Sequence, residues 1–343
     1  MKGKNAYWVL ALLLWAGCKK DGTKTTITTD TTKTNTSALV KGADVSWLTQ
    51  MEASGVKFYN NDGVAQDCMQ LLKDKGMNAI RLRAWVNPAD GWCNTDDVVA
   101  KAVRAQKLGM KIMIDLHYSD TWADPGKQPK PAAWQSLDFA GLKTAVSTYT
   151  VSVMNALKAK GITPDWVQVG NETNDGMLWE DGRASKNMAA YAALVNSGYD
   201  AVKSVSSSTK VIVHLANGYD NAVFRWMFDG LKANRAKWDI IGMSLYPTVD
   251  NWQSYNEQCL ANMNDMFSRY GSPVMIVEVG MAANEGTVCK AFLTDLLVKV
   301  STVKAAQGLG VFYWEPEAYN WQGYGLGAFD NSGRPTVALD AFK

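Results

Sequence analysis

The sequence predicts an α/β fold, a closed (β/α)8 TIM barrel, and three observations carry that expectation. Short apolar runs alternate with longer amphipathic stretches from about Val40 to Lys343. Eight such runs occur, and the segments between them are long enough to be crossovers, which parallel neighbours require and hairpins do not. Eight strand-plus-helix units in roughly 300 residues match the size of a single closed barrel.

Taken in order, the eight runs are VKGADVSW, NAIRLRAW, KIMIDLHY, DWVQVGNE, KVIVHLAN, WDIIGMSLY, PVMIVEVG and GVFYWEP. Each is short, rich in β-branched or aromatic residues and bounded by turn formers, as a buried parallel strand should be. The intervening DDVVAKAVRAQKLGM and YAALVNSGYDAVKSV place apolar residues three and four apart, the spacing of one helix face. An open doubly wound sheet is the competing architecture, but GADVSWL after the first strand lacks the Gly-rich phosphate turn expected there. No G-x-x-x-x-G-K-[ST] or G-x-S-x-G occurs either, so phosphate-loop and nucleophile-elbow readings lose their signals.

Composition sets outer bounds. A hydrophobic content of 47% and 28 Gly against 9 Pro belong to a folded globular chain. A formal net charge of +2, with no basic run in the folded part, speaks against nucleic acid as a partner. Only two histidines, His117 and His214, are present, which leaves little for multi-histidine metal chemistry, and no cofactor is expected. The 14 Trp and 13 Tyr are a large supply of flat amphipathic rings, suited to a core or to stacking on planar or sugar-like ligands.

The opening MKGKNAYWVLALLLWAGC has a basic start, an apolar segment too short to span a membrane, and small residues before Cys18. It resembles a bacterial lipoprotein signal, residues 1–18, with Cys18 as the lipid-bearing residue; the alternative is a cleaved secretory signal that removes Cys18. Residues 19–37 form a Thr-rich run without apolar periodicity, which reads as a tether. The barrel domain is then 38–343. The expected location is the cell envelope, at the outer membrane or cell surface through the N-terminal lipid, or else secretion, and the expected state is a monomer. Cys68, Cys93, Cys259 and Cys289 remain, an even set that an oxidising compartment could pair in three ways.

In a barrel the working face is built from the C-terminal strand ends. Those ends read Asp44, Arg83, His117, Asn171-Glu172, Asn217, Tyr246, Glu278 and Trp314-Glu315. A charge buried at such a rim is costly unless partnered, so a ring of Asp, Arg, His, Tyr and Glu points to a mutually satisfying site. Glu172 ends the fourth run and Glu278 the seventh, about three βα units apart, which sets them across the barrel mouth from each other. Two carboxyls facing across a cleft suit glycosidic cleavage: one protonates the leaving oxygen, the other attacks or stabilises the sugar cation.

KGADVSWL, NAIRLRAWVNP, DLHYSDTWADPGKQPKPAAW, VQVGNETNDGMLW, SLYP and GVFYWEPE together resemble glycoside hydrolase family 53 of clan A, the endo-β-1,4-galactanases. The resemblance runs from about Lys41 to the C-terminus. It implies retaining hydrolysis of internal bonds in β-1,4-galactan, the pectic side chain of type I arabinogalactan, with Glu172 as acid/base and Glu278 as nucleophile. On that reading Arg83 holds Glu278 ionised and Tyr246 donates its hydroxyl to it. Asn171 bonds the 2-hydroxyl of the reacting sugar, and Trp314 forms its floor. His117 and Asp44 complete the rim, while Trp122, Trp134 and Trp321 sit in loops on the same side. Some bacterial members carry calcium in a longer final loop; WEPEAYNWQGYGLGAFDNSG is short and lacks an acidic cluster, so no metal is expected. Two alternatives stay open: another clan A endo-glycanase acting on β-mannan or β-glucan, and a surface glycan-binding lipoprotein without turnover.

Overall fold

The computed structural model describes residues 39–343. Signal, Cys18 and the tether lie outside them. Eight strands, β1 Val40–Asp44, β2 Ala79–Ala84, β3 Lys111–Leu116, β4 Trp166–Val169, β5 Lys210–Leu215, β6 Ile240–Leu245, β7 Val274–Val279 and β8 Gly308–Trp314, close into one barrel in sequential order. Every neighbouring pair is parallel, including β8 with β1. All eight predicted runs are therefore strands, and the predicted (β/α)8 barrel is the observed fold.

The crossovers are helical, as parallel pairing demands. They are α1 Leu48–Ala53 and α2 Cys68–Asp74 after β1, then α3 Thr95–Lys107, α4 Phe139–Lys158, α5 Met188–Val205, α6 Asn221–Ala233, α7 Trp252–Tyr270 and α8 Gly286–Ser301 after β2 to β7. Local chemistry fixes several starts: the side chains of Asn94, Asp138, Asn187 and Asp220 each accept a backbone N–H of the first turn of α3, α4, α5 and α6. After β8 the chain closes with a short 3₁₀ helix, Val337–Phe342, packed against α8.

Two cores result. The larger lies between strands and helices. The smaller plugs the barrel floor with Val40, Ala79, Met113, Trp166, Ile212, Ile240, Met275, Val277 and Phe312. Gly42 is required beneath this plug, because a Cβ there would meet the Phe312 ring at 2.2 Å. Above the floor the inward positions turn polar: Arg81, Asp115, Gln168, His214 and Ser244 are all buried. The barrel thus has an apolar base that carries a polar layer directly under its mouth.

The four cysteines are free and buried, so none of the three expected pairings is realised. They are packing residues: Cys68, Cys259 and Cys289 sit in the outer core, and Cys93 receives a bond from Arg83.

Candidate active site

A cavity of about 360 Å³ opens at the C-terminal mouth between Glu172, Glu278, Tyr246, Trp122, Trp314 and Tyr324, with His117, Asp124 and Asn171 along its edge. Each carboxylate arrives there by a local device. Gly170 and Glu172 take positive φ, 88° and 44°, in the turn that ends β4. A positive φ at a glutamate is strained, and such strain persists only where surrounding bonds over-determine it. Here they do: Thr173 N–H donates to the His214 carbonyl at 2.9 Å, and Gln128 Nε2 donates to the Asn171 carbonyl at 2.8 Å. Asn171 Nδ2 returns a bond to the Ala123 carbonyl at 2.9 Å. The stretch LHYSDTWADPGKQ is thus the clamp that fastens the β3 loop to the Glu172 turn.

Glu278 is turned inward by an irregularity. Met275 and Val277 face the barrel floor, so strict alternation would send Glu278 to the outer face. A register shift between Met243 and Ser244 pairs Ser244 with Glu278 instead and brings the carboxyl inside. Bulges next to functional sites commonly re-aim a side chain in this way.

Once inside, Glu278 is held by Arg81 Nη2 at 2.7 Å and by the Tyr246 hydroxyl, which donates at 2.9 Å. The same guanidinium pairs with Asp44 at 2.6 Å and Asp115 at 2.9 Å, and donates to Gln168 Oε1 at 2.7 Å and Asn171 Oδ1 at 3.1 Å. This corrects the expectation for Arg83. Arg81 and Arg83 share the inward face of β2, but the barrel centre is filled by the deeper Arg81, whose stem rises to the mouth. Arg83 leans toward β8, reaches Glu315 at 3.3 Å, and stacks over Trp122 at 4.2 Å and Trp85 at 4.8 Å. It supports the aromatic wall rather than the carboxylate.

Asp44 and Trp321 also differ from expectation. Asp44 is fully buried beneath the mouth, engaged by Arg81, the Ser46 hydroxyl at 2.5 Å and the Ser46 N–H at 3.0 Å, so it braces Arg81 and meets no cavity. Trp321 lines a separate hollow with Glu317 and residues 330–333, because the short turn after β8 directs it outward. Trp134 is core, against Tyr118 and Tyr149. His117 does border the cavity. Its Nε2 faces Asp115 at 2.9 Å, while Nδ1 faces Trp85 Nε1 and the Ala123 N–H, which fixes Nδ1 as the acceptor. Burial lowers the proton affinity of this imidazole, so it is neutral.

Sequence reasoning missed Arg81, Tyr324, Asp124 and Ser244. The signal for Arg81 was the period of two: it points wherever Arg83 points. Tyr324 packs its ring on Trp314 at 4.6 Å, and Trp314 lies 5.8 Å from Trp122, so three rings form one wall.

Charge decides how the two glutamates differ. Burial raises both carboxyls, and Glu172 raises Glu278 further across the cavity, while Arg81 opposes the shift at both. Facing buried carboxyls titrate as a pair and hold one proton between them. Arg81 at 2.7 Å and the Tyr246 hydroxyl at 2.9 Å both favour the anion at Glu278. Asp115 is held low against its own burial by Arg81 and His117, so it stays ionised. A carboxyl without an ion pair and a carboxyl anchored to a guanidinium now face the same hollow.

Against known proteins, residues 40–342 match the profile of glycosyl hydrolase family 53. The chain belongs to glycosyl hydrolase family 53. An arabinogalactan endo-β-1,4-galactanase of Thermothelomyces thermophilus is 33% identical to this family 53 chain over 333 residues, 88% of this chain and 98% of that protein. An uncharacterised protein of Niallia circulans, from the bgaB 5′ region, is 37% identical over 81% of this chain and 84% of its own. Among solved structures, one described under two fungal β-1,4-galactanases matches with a TM-score of 0.82 at 32% identity, covering 89% of this chain and 99% of that one. The family 53 catalytic domain of Ignisphaera aggregans matches with a TM-score of 0.80 at 28% identity, over 89% and 95%. This family 53 protein is a glycoside hydrolase.

Proposed function

We propose that the protein is an endo-β-1,4-galactanase that hydrolyses internal bonds of pectic β-1,4-galactan with retention, Glu172 acting as acid/base and Glu278 as nucleophile. The observation that carries this reading is the unequal treatment of two facing carboxyls: Glu278 is buried and ion-paired to Arg81, and Glu172 is half-buried without a cation at ion-pair distance. A nucleophile must be ionised and a general acid must carry its proton, and the Arg81 contact at Glu278 alone supports that division. The galactanase names of the relatives support galactan as the polymer.

Glu278 attacks the anomeric carbon as Glu172 gives its proton to the departing oxygen. The ester that forms is then hydrolysed by water, from which Glu172 removes a proton. Asn171 lines the same cavity with its Oδ1 on Arg81, and its amide can meet the 2-hydroxyl. Trp314 and Trp122 supply ring faces for the sugar.

The experiment for this assignment uses azide and an aryl β-1,4-galactobioside. Glu172→Ala loses proton transfer, on the order of 10² to 10⁴ in rate on galactan, but an activated aryl leaving group needs little protonation. The variant should form the glycosyl-enzyme and stall, and azide should relieve it with a β-linked azide. An α-linked azide from Glu172→Ala would exchange the two roles.

Endo action needs a groove longer than one sugar. A second hollow of about 310 Å³ continues from the first across Trp122, bounded by Trp47, Trp85, Trp92, Asp90, Gln50 and Gln322. It would take a further galactosyl unit of the same chain. Trp92→Ala should therefore raise KM for galactan about tenfold, the value of one lost ring contact, with a smaller change in kcat. An unchanged KM on polymer would remove this hollow from the binding groove.

A further inference from the structure

We propose that Glu315, a buried residue just past β8 that borders neither hollow of the groove, is a positioning residue for the aromatic wall, holding Trp47 by its backbone and Trp85 and Trp122 through Arg83. This role rests on the reading of the second hollow as the seat of a further galactosyl unit, and it names the device that keeps the rings of that hollow in place.

Glu315 is itself firmly placed. Its N–H donates to the Asp44 carbonyl at 3.0 Å, one residue beyond the last pair of β8 with β1, and its carbonyl accepts from the Ala318 N–H at 3.1 Å. Its φ of 45° is strained for a glutamate and persists only because such bonds over-determine it. The carboxyl then makes two grips. The Trp47 N–H is shared between its two oxygens, at 3.2 Å and 3.1 Å, and Arg83 Nη1 donates to Oε1 at 3.3 Å. Trp47 immediately precedes α1, so the first grip sets where the turn after β1 delivers its indole.

The second grip reaches further. Arg83 is fully buried, and among the described residues Glu315 is the one carboxylate at ion-pair distance from it. Cys93 Sγ accepts from its Nη2 at 3.4 Å, and its Nε meets no acceptor. The guanidinium lies 4.2 Å from the Trp122 ring, 4.8 Å from Trp85 and 5.6 Å from Trp47, contacts that gain strength where water is excluded. All three indoles line the second hollow, and Trp122 also borders the catalytic cavity. They meet edge to face, 5.2 Å between Trp85 and Trp122 and 5.6 Å between Trp47 and Trp122, so a displacement of one is passed to the next.

A sugar gains from an indole only when the ring face is presented at the right angle, and rings that line an open hollow must be fixed from behind. Here the support behind them is a charged pair. Burial and the nearby Asp44 raise the proton affinity of Glu315, while Arg83, the Trp47 N–H and Lys101 oppose the rise, so the anchor is geometric: three bonds converge on two oxygens. Without Glu315 the guanidinium would be a buried charge lacking its counterion, and moving to find another would disturb the rings stacked on it.

The test measures kcat and KM on galactan, with near-ultraviolet circular dichroism of the indoles, well below the melting midpoint of each variant. Glu315→Ala should raise KM about tenfold, the value of a lost ring contact, with kcat changed by no more than about threefold. Glu315→Gln keeps an oxygen for the Trp47 N–H but offers no charge to Arg83, and should raise KM about threefold. Arg83→Met should raise KM as Glu315→Ala does, and the double variant by less than the product of the two, as members of one unit behave. The indole dichroism should change in step with KM. Glu315 variants whose melting midpoint falls while KM and dichroism stay in place would overturn the role and leave Glu315 to barrel closure alone. A fall in kcat as large as the rise in KM would also overturn it, by placing the disturbance at the reacting sugar. Trp92→Ala separates the two readings. If it raises KM while the Glu315 variants do not, the hollow stands and the positioning role falls; if it too leaves KM unchanged, the hollow itself falls, and the role with it.

Discussion

Glu278→Ala is expected to reduce hydrolysis of galactan by a factor on the order of 10⁴ or more, because it removes the group that forms the covalent intermediate and not only a proton carrier. The loss should extend to activated aryl galactobiosides, since a better leaving group cannot replace a missing nucleophile. This separates Glu278→Ala from Glu172→Ala. Azide admitted to the space left by the Glu278 side chain would attack from the face that the carboxylate used, giving an α-linked azide. A Glu278→Ala enzyme that keeps a tenth of its activity on both substrates, or yields the β-linked azide, would refute the nucleophile assignment. The fold is expected to survive, since Glu278 is one of three carboxylates on Arg81, and Asp44 and Asp115 remain to hold that guanidinium.

The barrel was legible because the strands are buried on both faces and therefore appear as mostly apolar runs such as KIMIDL or VMIVEV. The Glu172 position was legible for the complementary reason: a charged residue that interrupts such a run at its C-terminal end has no apolar explanation. Glu278 was found by the same argument, but the reason for its inward aim was not visible. It depends on a register shift against β6, a property of two strands together that no single run displays.

Residues in the middle of strands were harder. Arg81, Gln168, His214 and Ser244 stand among apolar neighbours with nothing in the text to separate a structural polar residue from a working one, and attention to strand ends passed over them. The choice of Arg83 over Arg81 illustrates the limit. A long side chain acts one layer above its own Cα, so the arginine that meets the carboxylate at the mouth is the deeper of two that share a face. Asp44 failed in the opposite sense: its place at a strand end is real, but Ser46 and Arg81 consume its oxygens below the cavity. Loop aromatics such as Tyr324 and Trp321 were separable only by the path of the short turn after β8, which sequence periodicity does not encode.

Arg81→Met is expected to cost about 3 to 5 kcal/mol of stability at neutral pH, because it removes the one cation that Asp44, Asp115 and Glu278 share while nearly preserving the stem volume. The melting midpoint should fall on the order of 10 °C. The sign with pH follows from the carboxyls. In the intact protein Asp115 has a folded pKa below its usual value, so its contribution is present above the unfolded value of about 3.9 and is lost as pH falls through the depressed one. Without Arg81 the buried carboxyls bind protons more tightly folded than unfolded, and their ionisation becomes a cost that grows as pH rises from about 4. The gap in melting midpoint between Arg81→Met and the parent should therefore narrow from pH 7 toward pH 4. Activity should respond through the same group: with its cation gone, Glu278 ionises at higher pH, and the acidic limb of kcat/KM should move up. A gap in midpoint that is constant with pH, together with an acidic limb that does not move, would show that Arg81 serves packing alone and that the anion at Glu278 is held by something else.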